Sequence, residues 1–158
     1  MNYGTTRRVA IAAALAAALG TAWAEQPGHR MTMAKDLKWA DVPSLPPGAK
    51  AAVIEGPMNE AVPFTVRLRL PANFVIPAHT HPAAERVTVL SGTFYMGMGE
   101  KFEAAKANMA LGVGDVMIMV PGQQHFAMTK EETVLQIHGH GPWAVNYVNP
   151  ADDPRKKQ

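Results

Sequence analysis

The chain has 158 residues, no cysteine and a formal net charge of +2. Two of its 15 basic residues, Arg7 and Arg8, lie in the first 24 residues, which hold no acidic side chain, so the rest of the chain balances 13 basic against 13 acidic residues. Because phosphate contacts need a basic surplus, this balance argues against a nucleic-acid-binding protein. Without cysteine, the chain has no disulfides, and any metal site must use histidine, carboxylate or water.

Residues 1–24 have the three parts of an export signal. The paired arginines Arg7 and Arg8 precede an apolar stretch over residues 9–19, and a small-x-small cleavage site ends at Ala24. The apolar stretch is about half of the roughly twenty residues needed to cross a bilayer. We therefore expect a cleaved signal peptide and a periplasmic protein with no membrane anchor after cleavage, exported by the twin-arginine or the general secretory route.

The remainder divides into three parts. Residues 25–50 are rich in proline and lack apolar periodicity, which predicts an extended, partly disordered N-terminal arm whose Trp39 packs against the body. Residues 51–150 carry the pattern of a folded domain. Residues 151–158, which include three consecutive basic side chains, are predicted to be a flexible tail.

Short strands dominate the folded part. Residues 64–70 alternate, with Val66 and Leu68 on one face and Arg67 and Arg69 on the other. Residues 101–110 alone have helical composition, and we expect a turn or two there within a loop. Glycine and proline turns separate the other predicted strands, which are residues 86–90, 93–98, 115–120, 133–138 and 144–148. This pattern predicts an all-β sandwich or small barrel.

Three histidines and one glutamate carry the chemical information. His79 and His81 are two residues apart, Glu85 follows, and His125 lies forty residues after the glutamate. Alternate side chains of a strand share a face, so an extended chain through Pro82 would present the first three on one side of a sheet. Imidazole and carboxylate ligands suit one divalent transition metal ion, such as manganese, iron, nickel, copper or zinc.

Two segments around these residues resemble the two motifs of the cupin family. They are PAHTHPAAERVTVLSG at residues 77–92 and GDVMIMVPGQQHF at residues 114–126. One departure is visible, because Pro121 and Gly122 are adjacent where the family usually has a residue between them. On the basis of these two segments, the chain resembles a small single-domain cupin of the cupin_2-like kind.

The resemblance implies a jelly-roll barrel, or double-stranded β-helix, behind the N-terminal arm. It also implies that His79, His81, Glu85 and His125 converge on one metal ion inside the barrel. Four protein ligands would leave two positions of a six-coordinate ion for water, dioxygen or substrate. Glu85 could act as a catalytic base if substrate displaces it. Many cupins pair through their sheets, so the resemblance also implies a homodimer.

Four further residues are candidates for binding a small molecule. Gln136 and His138 share one face of a predicted strand whose other face is apolar, and they either line the cavity or face solvent. Tyr95 and Phe126 are interpreted as cavity walls rather than catalytic groups.

Two classes of function follow. The chain is either a metal-dependent oxygenase, isomerase or lyase that acts on a small molecule, or a non-catalytic envelope protein that binds a metal ion or a small ligand. The sequence does not decide between them, since one fold hosts many chemistries.

Overall fold

A computed structural model describes residues 28–157 of the chain. The predicted signal peptide, residues 1–24, lies outside the described residues. A compact unit begins at Thr32 and contains the elements named below. No helix in the described range is long and apolar enough to cross a membrane.

The described residues are mostly β-strand. The strands are β1 (Ala40–Asp41), β2 (Lys50–Glu55), β3 (Pro63–Leu70), β4 (Val75–Thr80), β5 (Glu85–Ser91), β6 (Phe94–Met98), β7 (Met109–Leu111), β8 (Val116–Met119), β9 (His125–Thr129), β10 (Thr133–His140) and β11 (Asn146–Tyr147). Short 3-10 helices lie at Ala34–Asp36, Ala104–Lys106, Pro150–Asp152 and Pro154–Lys156. The all-β class is confirmed.

The strands form two antiparallel sheets. Sheet A has the order β1-β2-β3-β10-β5-β8, and sheet B has the order β11-β4-β9-β6-β7. Strands β3, β4, β5 and β6 alternate between the sheets, as do β8, β9, β10 and β11, which is the winding of a jelly roll. No strand pairing joins the two sheets within residues 28–157, so the expected barrel is not closed and the jelly roll is a sandwich.

The core lies between the two sheets. On β3, Val66 and Leu68 are buried, and the register places them opposite Ile137 and Leu135 of β10. Arg67 and Arg69, which alternate with the buried residues, face outward as predicted. Phe94 and Met96 on β6 close the core from sheet B. Burial of these side chains is the main source of stability in a domain without disulfides.

The N-terminal arm packs on the body of its own chain. Ala40 and Asp41 pair with β2, and Leu45 is 6% exposed within the core. The Tyr147 hydroxyl donates a hydrogen bond of 2.8 Å to the carbonyl oxygen of Ser44. The Arg69 guanidinium lies 4.2 Å from the centre of the Trp39 ring. Residues 39–45 of the arm therefore form a wall of the domain.

The C-terminal residues are folded where the sequence predicted a flexible tail. Asp153 accepts hydrogen bonds from the Arg155 backbone N–H and from its guanidinium, and Arg155 Nη2 donates to the Val145 carbonyl at 3.0 Å. The hydrogen bond to the Arg155 side chain lowers the pKa of Asp153. The Asp153 carboxylate caps the 3-10 turn and binds the Arg155 side chain, and these hydrogen bonds hold the C-terminal residues in place.

Candidate metal centre

Three buried histidines converge on the inner face of sheet B. His79 on β4 is paired directly with His125, the first residue of β9, and His81 follows the end of β4. One ligand atom from each imidazole lies within 4.8 Å of the other two, and the residues are 2–4% exposed. This cluster alone among the described residues has three such side chains together.

A β-bulge in β4 turns His79 toward the cavity. Ile76 and His79 both line the cavity, although side chains three apart in a regular strand point to opposite faces. The register of β4 against β9 shifts between these two residues, and Ala78 packs on the outer face instead. The bulge thus supplies the extra residue that brings His79 inward.

Each imidazole is fixed by a backbone carbonyl that leaves its other nitrogen free. The Nδ1 atoms of His79, His81 and His125 lie 2.7, 2.8 and 2.9 Å from the carbonyl oxygens of Pro77, Ala144 and Gln123. Because a carbonyl can only accept, Nδ1 carries a proton, and Nε2 is the nitrogen left to bind a ligand. This is the arrangement of metal-binding histidines.

Burial keeps two of these imidazoles neutral. Loss of solvation lowers the pKa of His79 well below its usual value of 6.5, and the neighbouring His125 and His81 lower it further. Burial also lowers the pKa of His125. Neutral imidazole is the form that binds a metal ion.

Glu85 reaches the cluster from the opposite sheet. The chain turns after Pro82, and Glu85 opens β5 of sheet A, so the three donors do not lie on one side of one sheet as the alternation rule predicted. The turn invalidates that rule, because alternation holds only within a continuous strand. Glu85 Oε2 still lies 3.3 Å from His81 Nε2, and the residue is 5% exposed.

The geometry between His81 and Glu85 fits a metal ion. His81 Nε2 is buried and makes no hydrogen bond within the described protein. A metal ion near both atoms could be bound by this nitrogen and by the carboxylate oxygen of Glu85. Two ligands at right angles around an ion, each at about 2.1 Å, lie about 3 Å apart. The separation of 3.3 Å is close to this value.

The turn at Pro121 and Gly122 positions the last histidine. Gly122 has a φ of 75°, and its N–H donates to the His81 carbonyl at 2.9 Å. The adjacent proline and glycine, which depart from the cupin pattern, therefore still form a turn that brings the start of β9 against the end of β4.

An apolar cavity of about 80 Å³ lies over the histidines, between the sheets. Both sheets, the arm and the segment before β11 contribute to it. Besides the histidines and Glu85, its lining residues are Val42, Ser44, Leu45, Ala51, Met58, Val66, Leu68, Ile76, Val87, Phe94, Met96, Ala127, Leu135, Ile137, Trp143 and Val145. An open coordination position would face this space.

Gln136 and His138 lie away from the cavity. Their neighbours Leu135 and Ile137 line it, so alternation along β10 places both polar side chains on the outer face of sheet A. There Gln136 Oε1 accepts a hydrogen bond of 3.4 Å from Arg67 Nε. Of the two orientations open from the sequence, the structure has the outward one.

Tyr95 and Phe126 also lie outside the cavity. Both belong to a small apolar cluster on the outer face of sheet B, because their neighbours Phe94 and His125 point inward. Phe126 is fully buried over Gly97, where a Cβ atom would clash with its ring. The inward position of His125 already implied the outward position of Phe126.

Trp143 was not anticipated from the sequence. Its ring stacks on His81 with centroids 4.5 Å apart and planes 20° from parallel, and it lines the cavity. Its indole Nε1 is buried and has no acceptor within the described protein. No spacing rule connects Trp143 with His81, since folding of the segment before β11 brings them together.

The family follows from a comparison with known domains. Residues 28–144 match the model of the ChrR cupin-like domain. The chain belongs to this cupin family. The jelly roll and the two sequence motifs agree with the assignment, and the predicted resemblance to cupins is confirmed.

Solved structures share the fold of this cupin. The polyketide cyclase RemF from Streptomyces resistomycificus matches with a TM-score of 0.63 and 15% identity, over 82% of this chain and 92% of that chain. An acetylacetone dioxygenase from Acinetobacter johnsonii matches at 0.57 and 12%, over 92% and 84%.

A third match is the Rhodobacter sphaeroides complex of SigE with the anti-sigma ChrR, at a TM-score of 0.51 and 18% identity. It covers 67% of this chain and half of that chain. No functionally curated protein matches the sequence. At these identities, the three structures establish the fold alone.

Proposed function

We propose that this cupin is a periplasmic metal-dependent enzyme that acts on a small oxygenated molecule, by oxygenation, isomerisation or lyase chemistry. One observation carries the proposal. Three buried imidazoles, each held by a backbone carbonyl, bring one ligand atom each to within 4.8 Å of the others beside an apolar cavity. Structural neighbours with this fold include a dioxygenase and a cyclase, which supports an enzyme.

The residues of the chain have separate parts in such a reaction. His79, His81 and His125 would hold a divalent transition metal ion, with Glu85 as a fourth ligand. The ion would supply Lewis-acid polarisation of an oxygen atom or a site for dioxygen. Glu85 lies 3.3 Å from His81 and is buried. If a substrate displaced Glu85 from the metal, the freed carboxylate could accept a proton from that substrate. The apolar walls exclude water from the reacting groups.

Elemental analysis of protein purified from the periplasm tests the metal site. We expect about one manganese, iron, nickel, copper or zinc ion per chain, and its loss in His81→Ala. His138→Ala is the matched control, since His138 lies on the outer face of sheet A. Metal content that is equal in both variants would refute the site. A metal-loaded protein then justifies a substrate screen with oxygen consumption as one readout.

A second candidate is a non-catalytic module that senses a metal ion or small ligand. The match to the ChrR cupin-like domain favours it, because one solved ChrR is an anti-sigma protein in complex with SigE. The two candidates differ in turnover. A sensor would bind ligand at the metal and release it unchanged, whereas the enzyme converts it.

We also propose export and self-association. A fusion of residues 1–24 to a reporter should appear in the periplasm, and cytoplasmic retention would refute the leader. Sedimentation of the mature protein should give a homodimer. Because the described arm packs on its own chain, deletion of residues 28–38, which precede its paired strand, should not alter the dimer.

A further inference from the structure

One edge of sheet A ends in an unprotected strand. Strand β8 has four residues and pairs with β5 on one side, and among residues 28–157 no strand pairs with its other side. The other three edge strands are shorter, since β1 and β11 have two residues and β7 has three. Natural proteins keep exposed edges short or charged, because the free backbone groups of an edge can pair with another chain. The longest edge, which is also uncharged, therefore indicates a strand that is paired in the working protein.

The side chains that β8 and the next residue present outward are apolar. Val116, Ile118 and Val120, which together form the β8 stripe, are 59%, 62% and 57% exposed. Met119, between the last two, points inward and is 5% exposed. Four of the ten large apolar side chains that are exposed within residues 28–157 lie in residues 113–120. Because exposed apolar side chains are usually scattered, this concentration marks a surface that another chain covers.

The β8 stripe is complementary to itself. In a twofold dimer the same surface meets itself, so any charge near the axis would face its own kind. Residues 116–120 contain no charged side chain. The adjacent carboxylate, Asp115 Oδ2, already accepts a hydrogen bond of 2.8 Å from the Gly112 N–H. An edge strand also supplies the N–H and C=O groups that an antiparallel copy of itself needs. The chemistry of this edge thus favours a second copy of the chain as its occupant.

We infer that β8 pairs antiparallel with β8 of a second copy around a twofold axis at Ile118, so that both copies of sheet A form one continuous sheet. This register places Ile118 opposite Ile118, and Val116 opposite Val120, of the second copy, which matches every member of the stripe with another member. An axis at Met117 would instead leave Val120 opposite Gly114. This inference rests on the proposed homodimer and identifies its surface.

The charge of Arg86 is compatible with this pairing. Arg86 is exposed on the outer face of β5, directly opposite Ile118 in the register. In the dimer, the β8 strands of both copies would separate the two arginines by about three strand spacings, or roughly 14 Å. Exposed charges more than about 8 Å apart are largely screened at physiological ionic strength.

Ile118→Lys tests the interface. Two lysines would face each other across the axis, so we expect a dimer dissociation constant at least about tenfold higher than that of the wild type. Analytical ultracentrifugation of the mature protein measures it. Val53→Lys is the matched control, because Val53 is 55% exposed on β2, and three strands of sheet A separate β2 from β8. Far-UV circular dichroism like that of the wild type shows that each variant is folded. A dimer as stable in Ile118→Lys as in Val53→Lys would overturn the inference.

Single cysteines test the register, since the chain has none of its own. In Ile118→Cys the two thiols would lie directly opposite each other, and mild oxidation should give a disulfide-linked dimer in high yield. In Val116→Cys the two thiols would lie four residues, or about 13 Å, apart along the paired strands, which is beyond the reach of a disulfide. Equal yields of linked dimer from the two variants would overturn the twofold axis at Ile118.

Sedimentation of the wild type separates this inference from the proposals made above. A monomeric wild type refutes the homodimer and the β8 interface together, and it leaves β8 to a strand of another protein. A dimeric wild type with an equally stable Ile118→Lys dimer keeps the homodimer and refutes the β8 interface alone. The metal content of the wild type tests the metal centre independently of both.

Discussion

Glu85 Oε2 lies 3.3 Å from His81 Nε2, although Glu85 opens β5 of sheet A and His81 follows the end of β4 of sheet B. His81 Nδ1 donates to the Ala144 carbonyl, and its buried Nε2 faces the carboxylate without a hydrogen-bond partner in the described protein. A metal ion between the two atoms could be bound by both, which is why we regard Glu85 as part of the centre.

Glu85→Gln should weaken metal binding while the fold is kept. The amide preserves the size of the side chain and removes its charge, so we expect the metal Kd to rise about tenfold or more. Competition against a chromophoric chelator measures this change. Glu100→Gln, at an exposed position, is the control. If both variants bind metal like the wild type, Glu85 is no ligand.

Acid should destabilise the metal-free protein. Burial lowers the pKa of His79 and of His125, whereas in the unfolded chain both titrate near 6.5. Below that pH the unfolded state binds more protons, so the free energy of unfolding falls as the pH falls through 6.5. Urea unfolding between pH 7.5 and 5.5, with chelator present, measures it. A free energy that is constant over this range would contradict the neutral state of these imidazoles.

Gly97→Ala should destabilise the domain. A Cβ atom at this position would clash with the Phe126 ring and lie 2.7 Å from the Lys106 carbonyl oxygen. Forcing a methyl group into a packed region costs about 1–3 kcal/mol. Thermal or urea unfolding measures the loss. Gly112→Ala, whose Cβ would meet nothing nearer than 3.8 Å, should stay within about 0.5 kcal/mol of wild type.

Tyr147→Phe should loosen the arm. Burial raises the pKa of Tyr147 to about 12, so at neutral pH its hydroxyl is protonated and donates to the Ser44 carbonyl. Loss of this hydrogen bond should cost about 1 kcal/mol. Hydrogen exchange should quicken at the Leu45 amide, which donates to Val42 within the arm. Tyr95→Phe, on the other sheet face, should leave that amide as protected as in the wild type.

The sequence by itself determined the class of fold and the identities of the candidate ligands. Alternation on β3 and the regular turns predict short strands with one buried face, because burial of apolar side chains has the period of the strand. The two motifs pointed to His79, His81, Glu85 and His125, whose nitrogen and oxygen atoms suit a divalent transition metal ion.

The alternation of side chains along the sequence could not predict which face of every strand is buried. It also could not predict which side chains meet across the cavity. The bulge before His79 and the turn after Pro82 both break the alternation that placed the donors on one side of a sheet. Alternation within a single strand did predict which side chains face outward. Once His125 faces inward, Phe126 must face outward, and the apolar pair on β10 sends Gln136 outward.

Only the tertiary structure decided which residues surround the centre. Trp143, the carbonyl of Ala144 and the arm residue Leu45 are far from the histidines in sequence, and they meet them through the packing of segments at the two ends of the domain. Such contacts depend on the path of the whole chain, whereas ligand identity depends on the chemistry of single side chains. The sequence therefore specifies the chemistry of the site, and the fold determines the space in which that chemistry takes place.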